Sequence, residues 1–396
     1  SNPSEFIAAD RFVTNLSRKS QYEILINTFL VVEQCVKDGV ELFVTTGVAY
    51  LYNLVILAVC ERFGKTAVSL YGTRQPDARF TFSTGTGGNW DLVTETFLRL
   101  KSENDKDLFQ ARVYIEKFRE DFLVPEYMKS KRQKGGLQPI FIKEFILRCK
   151  RWFVDKWSCR EDYITQSPFW YAKRDLYRIA NKLLVENSGI FDSVDYEDEY
   201  FIFPIHLQPE ASTLVLGKYY DDQLTTIKNI SKCLPLDAKL YVKEHPAAAG
   251  RNTLAFYREL RKLFNVRIID HRVSSKHLLN GSKGVIVISG TMGWESFLLK
   301  KPTFVLGDVF YKYFSGVNSP EGFKDLADFL NGRRSFEVSN DDDILRAVTA
   351  ISDGSYPGLF DVHKLDTSEK VLNAENIRNV SAGLKDIISV KKGVLN

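Results

Sequence analysis

Between Tyr200 and Leu306 the chain alternates short β-branched and aromatic runs with amphipathic stretches, and this alternation limits the fold more than any other feature. Strands are expected at Tyr200–Pro204, Lys239–Lys243, Val266–Ile269, Gly284–Ile288 and Thr303–Leu306. Helices are expected between them, at Asp221–Cys233, Asn252–Phe264, near Ser274–Leu279 and at Met292–Lys300. Strands separated by helices pair in parallel through crossovers, which predicts a doubly wound α/β sheet. Ligands of such sheets bind beyond the carboxyl ends of the strands, so the residues just after each strand are where function is sought.

The first half carries the same theme in shorter form. A helix is expected over Gln21–Lys37, a strand over Glu41–Thr46, a helix over Ala49–Phe63 stopped by Gly64, and a strand over Thr66–Tyr71. Residues 104–171 read as mostly helical, and a further helix is expected over Asp175–Glu186. The acidic loop Asp192–Glu199 then marks a boundary. A chain of 396 residues is long enough for two cores. The expected division is 1–195 for a first lobe with a helical insertion, 196–367 for a second lobe, and 368–396 for a C-terminal helix that packs back across both.

Composition excludes several classes. With 44% hydrophobic and 26% charged residues the chain has the apolar surface a folded protein needs. A net charge of +4 is too small to supply the phosphate-neutralising field of a nucleic-acid binder. Five scattered cysteines show neither zinc spacing nor a C-x-x-C pair, which points to reduced thiols and a cytoplasmic protein. The longest apolar run, Leu51–Cys60, is far short of the ~20 residues that span a bilayer. The opening Ser1-Asn2-Pro3 lacks an initiator Met and a signal-peptide pattern, as a processed or engineered start would.

Three strand ends concentrate polar residues. After Phe201–Pro204 come His206, Gln208, Glu210, Ser212 and Thr213, where a carboxylate and an imidazole suit acid, base or sugar-hydroxyl roles. The alternative is that Glu210 caps the next helix and His206 fills a polar niche. In Leu240–Pro246, Lys243 and His245 are two apart and face the same side of an extended backbone, a pair of donors for one phosphate unless both are simply solvated. The third run, Val285–Glu295, passes from an apolar strand through Ser289, Gly290 and Thr291 into a helix. Small residues there let an anion approach the positive helix end, and Glu295 one turn further suits two ribose hydroxyls. A tight turn with a carboxylate near a helix start is the alternative. Three such loops on one sheet are explained together by a shared ligand.

The runs F-P-I-H-L-Q-P-E-A-S-T, Y-V-K-E-H-P and S-G-T-M-G-W-E, with K-P-T-F-V-L-G ending at Gly307, resemble the bacterial capsule polysaccharide biosynthesis superfamily, which includes retaining β-Kdo transferases. The resemblance covers Phe201–Gly307 and implies a GT-B fold, two Rossmann-like lobes with an interlobe cleft, and a CMP-sugar donor. It assigns Lys243 and His245 to the donor phosphate, Ser289, Gly290 and Thr291 to its anion loop, and Glu295 to the ribose. Gln208 and Glu210 then face the transferred sugar. The expected co-substrate is a nucleotide-sugar with no separate cofactor, and no metal is expected because Lys243, His245 and the helix N-terminus can take the charge.

The first lobe is expected to hold a glycan or glycolipid acceptor, with Arg74, Asp77 and Arg79 after the strand Thr66–Tyr71 as candidates and Asp77 as the carboxylate to test. A surface turn with a local Arg–Asp pair is the other reading. Lys129–Lys134, then Lys143, Arg148, Lys150 and Arg151 among Phe141, Phe145, Trp152 and Trp157, suit peripheral contact with an anionic membrane face, or a solvated helix. Besides a Kdo-type transferase, the open readings are a UDP-hexose transferase, a nucleotide-sugar epimerase, and a non-catalytic nucleotide- or glycan-binding partner in a synthesis complex.

Overall fold

The computed structural model describes residues 2–73, 79–102, 108–121, 139–158, 163–359 and 371–394. Its first sheet contains β1 (Leu42–Thr45), β2 (Thr66–Gly72) and β3 (Arg79–Ser83). The second contains β4 (Tyr200–Pro204), β5 (Lys239–Lys243), β6 (Val266–Ile269), β7 (Gly284–Val287), β8 (Thr303–Val305) and β9 (Val317–Asn318). The chain then returns to the first sheet as β10 (Tyr356–Pro357), giving the order β1-β2-β3-β10.

The second sheet is parallel throughout, in the order β6-β5-β4-β7-β8-β9. Counted within the lobe this is the Rossmann order 3-2-1-4-5-6, and the winding reverses between β4 and β7. Both faces are covered, so its strands read as continuous apolar runs. Ile202, Val285 and Val287 face one core with Tyr200 and Tyr241, while Phe203, Ile286 and Ile288 face the other with Ile227 and Leu260. All five strands expected here are present, and a two-residue sixth, β9, is added.

The first sheet is smaller and mixed. β1 and β2 pair in parallel around the helix Leu51–Phe63, which ends at Gly64 in the left-handed conformation (φ 62°) as expected. β3 and β10 then add antiparallel. The C-terminal helix Ala374–Val394 covers this sheet, with Ile387 packed among Val68, Leu70, Phe80 and Phe82; among the described residues it adds none to the cores of the second sheet.

Packing ties segments together across the expected boundaries. The helix Pro168–Glu186 belongs by packing to the second lobe, where Val185 joins the Leu240 and Tyr257 core and Asn181 Nδ2 donates to the carbonyls of Gly250 and Asn252 at 3.0 and 2.7 Å. At the other end, the chain joins first-lobe helices on the second sheet from Asp341. The helix Asp341–Asp353 packs with the helices Asp91–Ser102 and Phe109–Asp121 in the core under Tyr200 and Ile202. Trp90 stacks on Phe310 at 4.0 Å in the same core. Two α/β lobes, a Rossmann-ordered second sheet, a cavity between them and a C-terminal helix make up the GT-B arrangement. Among the described residues no helix is long and apolar enough to cross a membrane.

Candidate functional site

The reversal point between β4 and β7 is held shut by side chains from both following loops. Ile205 N donates to Lys243 O at 2.9 Å, prolonging the ladder past β4. His206 is then clamped through its backbone by Gln223, whose Oε1 accepts from His206 N at 2.6 Å and whose Nε2 donates to His206 O at 2.9 Å. The imidazole Nε2 accepts from Ser289 N at 3.2 Å, which leaves the ring proton on Nδ1. Burial, aided by the neighbouring His245, pulls this imidazole down to about 4 against the pull of the Pro204 carbonyl. His206 is therefore a neutral cross-brace between two loops. The expected acid–base role for it is corrected: its acceptor nitrogen is already occupied, and the ring is buried.

Ser289 is equally committed, since its hydroxyl donates to Ser212 O at 2.7 Å. The helix Thr291–Leu298 opens just beyond, with Gly290 as its N-cap and no side chain capping it. A Cβ on Gly290 would sit 3.0 Å from His206 Nε2, so a larger residue there would push the two loops apart by a few tenths of an ångström. Tyr311 donates its hydroxyl to Gly290 O and fixes the turn from beneath. Thr291 is exposed at the helix start, and Glu295 is half-buried near Tyr311. The result is a helix N-terminus whose N-cap residue has no side chain to close it, the arrangement that favours an anion.

The β5 loop behaves differently from its expectation. Lys243 is buried and its Nζ donates to Asp270 O and His271 O at 3.2 and 3.4 Å, so the ammonium turns under the end of β6 instead of facing outward. The outward-facing direction expected for Lys243 is thus corrected: its ammonium is committed to backbone carbonyls at the end of β6. His245 stays half-buried at the surface, and its Nδ1 accepts from Ala247 N at 3.0 Å, which puts the proton of the neutral ring on Nε2 as a donor. Glu244 is buried, with Oε1 accepting from His245 N at 2.8 Å. Its Oε2 has no hydrogen bond, although the Asn252 amide lies beside it. Burial raises this carboxyl to about 7, opposed by the His245 amide, Asn252 and Lys243.

Gln208 and Glu210 stand half-exposed on the β4 loop. Gln208 Nε2 donates to Asp221 O, and its own carbonyl accepts from Arg251 at 3.0 Å. Glu210 is the backbone N-cap of Ala211–Leu214 but makes no side-chain cap, so its carboxylate is left to face Arg251, which feels its charge.

In the first lobe, Arg74 and Asp77 lie outside the described residues. Arg79 is described, and its expected role in acceptor binding is corrected. Its Nε donates to Ser355 Oγ at 2.8 Å and its NH2 group to Ser352 O at 2.8 Å, tying β3 to the carbonyl end of the helix Asp341–Asp353. A guanidinium at a helix C-terminus is favourable for stability and is not free for a ligand.

One element escaped the sequence reading. The loop Ser83–Asn89 of the first lobe runs against Asp308, just past β8, so closely that a Cβ on Gly88 would fall 1.8 Å from Asp308 Oδ2. Asp308 accepts from Tyr313 at 2.9 Å and pairs with Lys312 at 3.9 Å. It lines an interlobe cavity of about 490 Å³ together with Gly307, Leu214–Tyr220 and the first-lobe residues Phe6, Leu54 and Glu61. The signal was the Gly87-Gly88 pair and an Asp directly after a strand. None of the expected donor residues lines this cavity, which begins beside them at Gly307.

Residues 180–336 match the family model described as capsule polysaccharide biosynthesis protein. A search of curated proteins returns no match. Among solved structures, the beta Kdo 2,7 transferase of Thermosulfurimonas dismutans KpsC aligns over 88% of this chain and 92% of that one, at 13% identity and a TM-score of 0.42. The beta Kdo 2,4 transferase of the same protein aligns over 74% of each chain at 13% identity and a TM-score of 0.38. The UDP-GlcNAc 2-epimerase of Methanocaldococcus jannaschii aligns over 86% of this chain and 84% of that one, at 11% identity and a TM-score of 0.30. Over residues 180–336, the stretch that holds all three strand-end loops, the chain thus resembles the capsule polysaccharide biosynthesis superfamily.

Proposed function

We propose that the chain is a nucleotide-sugar-dependent glycosyltransferase that moves a sugar, Kdo or a related acidic sugar from a CMP donor, onto a surface polysaccharide or its lipid-linked precursor. The observation that carries the reading is the helix N-terminus at Thr291, whose N-cap is a glycine with no side chain to close it, joined to the β4 loop through the Ser289–His206 bond at the sheet's reversal point. The family match over the same residues supports it.

In this reading the first-turn amides and the Thr291 hydroxyl take the charge that builds on the departing phosphate, with His245 Nε2–H as a second donor. Lys243 adds positive potential from beneath. Glu295 accepts from the ribose, while Gln208 and Glu210 orient the transferred sugar toward an acceptor hydroxyl. Titration calorimetry with CMP, CDP, UDP and GDP on the wild type and His245→Ala tests the donor site. CMP binding that weakens about tenfold or more in the variant supports the reading. UDP preference keeps the site and changes the sugar, and no binding by any nucleotide at millimolar concentration rejects it.

A lipid-linked acceptor is supported by the helix Pro139–Trp157. Ile146, Leu147, Phe153, Val154 and Trp157 are exposed along one side of it, Trp157 at 92%, with Lys150 and Arg151 also exposed. An apolar stripe flanked by cations fits an anionic bilayer surface. The companion basic run Lys129–Lys134 lies outside the described residues. Cosedimentation with phosphatidylglycerol vesicles but not phosphatidylcholine vesicles, lost in Phe153→Ser/Trp157→Ser, is the expected result.

A further inference from the structure

We propose that Arg174, Arg178 and Arg251 form a subsite for one anionic group, a carboxylate or a phosphate, carried by the glycan that reaches the β4 loop. The identity of the ligand as a glycan rests on the transferase reading; the anion site does not.

Arg174 and Arg178 are one helical turn apart on the helix Pro168–Glu186, and therefore project from the same face. Between them stands a single carboxylate. Asp175 Oδ1 accepts from Arg174 Nε at 2.8 Å and lies 3.9 Å from Arg178 NH1. Arg251 enters from the loop after β5 and donates to the Gln208 carbonyl at 3.0 Å. The three guanidiniums, with Tyr177 and Gln208, line a cavity of about 190 Å³. Arg11 of the first lobe and Glu210 of the β4 loop also act on Arg251, so the cluster lies where the two lobes face each other. Four guanidiniums against Asp175 and Glu210 leave an excess of positive charge.

That excess is held in place rather than spread into solvent. The loop carrying Arg251 is pressed onto the helix: Gly250 has φ 82°, and a Cβ there would sit 2.3 Å from Arg178 O. Asn181 clamps the same loop through the carbonyls of Gly250 and Asn252. Arg174 lies over the rings of Trp170 and Tyr171 at 5.3 and 4.9 Å, which fixes its plane. Burial, together with repulsion from Arg251 and Arg174, pulls the Arg178 guanidinium down to about 10. A planar two-oxygen anion between fixed guanidiniums accepts forked hydrogen bonds and relieves that repulsion. Tyr177, 58% exposed beside the cavity, presents an apolar ring to the sugar that bears the anion.

The test is titration calorimetry of the full chain with trigalacturonate, with maltotriose as its neutral counterpart, and with inorganic phosphate, alongside CMP and UDP. Trigalacturonate is expected to bind at least tenfold tighter than maltotriose. Arg178→Gln and Arg174→Gln should bring it down to the maltotriose level with nucleotide binding unchanged, whereas Asp175→Asn should tighten it by freeing two guanidiniums. Competition by phosphate assigns the pocket to either anion, and lack of competition assigns it to carboxylates. Equal binding of the acidic and neutral trimers with no phosphate binding overturns the proposal. So does an acidic preference that survives both arginine variants when their melting curves match the wild type. A wild type that binds trigalacturonate but no nucleotide keeps this subsite and defeats the transferase reading instead.

Discussion

Both lobes bury polar side chains and use them in opposite ways. In the first lobe, Asp10 is fully buried and both of its oxygens are filled: Oδ1 accepts from Phe12 and Val13 amides at 2.8 and 3.1 Å, and Oδ2 from Leu51 N at 2.9 Å. It caps the helix Leu51–Phe63 from outside the helix, and Arg79 closes the carbonyl end of another. In the second lobe the buried polar groups sit at strand ends, where the sheet reverses. They tie the β4 and β7 loops together beside the N-terminus of the helix Thr291–Leu298. Buried charge in this protein is therefore no marker of function by itself. What separates the lobes is where the buried donors and acceptors converge: on backbone inside the first, and on the loops at the strand ends of the second.

That contrast can be broken by substitution. The largest effect is expected at His245: in a transfer assay with the donor that calorimetry selects, His245→Ala should lower turnover about 100-fold, in line with losing one donor to a developing anion, while the melting temperature stays close to the wild type. A wild-type rate in that variant would move the donor site away from the β5 loop. Next is Gly307→Ala, where the added methyl would meet Leu216 O at 2.7 Å and Ile288 O at 2.8 Å, two backbone atoms that cannot rotate aside. The expected destabilisation by urea unfolding is about 3 kcal/mol. Arg79→Gln should cost about 2 kcal/mol through its lost charge-assisted bonds, with KM and kcat for the folded enzyme unchanged. A raised acceptor KM with unaltered stability would return Arg79 to the acceptor site and erase the distinction drawn between the lobes.

Periodicity revealed the second lobe almost completely, because a parallel sheet covered on both faces needs long apolar runs and punctual helices, and both are local features. The first lobe was legible only through β2. β3 reads Arg-Phe-Thr-Phe-Ser, an alternation that signals one wet face, yet Thr81 and Ser83 are buried too, with Thr81 Oγ1 bonded to Gly354 O at 2.8 Å. That partner lies 273 residues downstream, and no window along the chain contains it. The site divides the same way. The polar density after β4, β5 and β7 was visible, but the direction of each side chain depended on distant partners: Ser289 is 83 positions from His206, and Lys243 bends toward carbonyls 27 and 28 positions on. Arg178 and Arg251 meet only because the helix Pro168–Glu186 crosses to the second lobe, which an acidic loop at Asp192–Glu199 gave no reason to expect.

The smallest effect expected in the wild type is the most informative about the strand ends, because it is a cancellation. His206 is drawn down from 6.5 to about 4 by burial, so as pH falls through that interval the unfolded chain takes up a proton the folded one refuses, and stability declines. Glu244 is pushed up from 4.5 to about 7, also by burial. As pH rises through that interval the unfolded chain releases a proton the folded one retains, and stability declines in the other direction. Each slope alone amounts to roughly 3 kcal/mol across its window. Between about pH 4.5 and 6.5 the two oppose, and the wild type should change by less than about 1 kcal/mol in urea unfolding. Glu244→Gln removes one side of the balance and should expose a stability that climbs with pH toward 6.5. His206→Asn should expose the reverse, a stability that falls as pH rises toward 7. If both variants stay as flat as the wild type, the two groups are hydrated in solution, and the cross-brace between the β4 and β7 loops is looser than the Ser289–His206 bond implies.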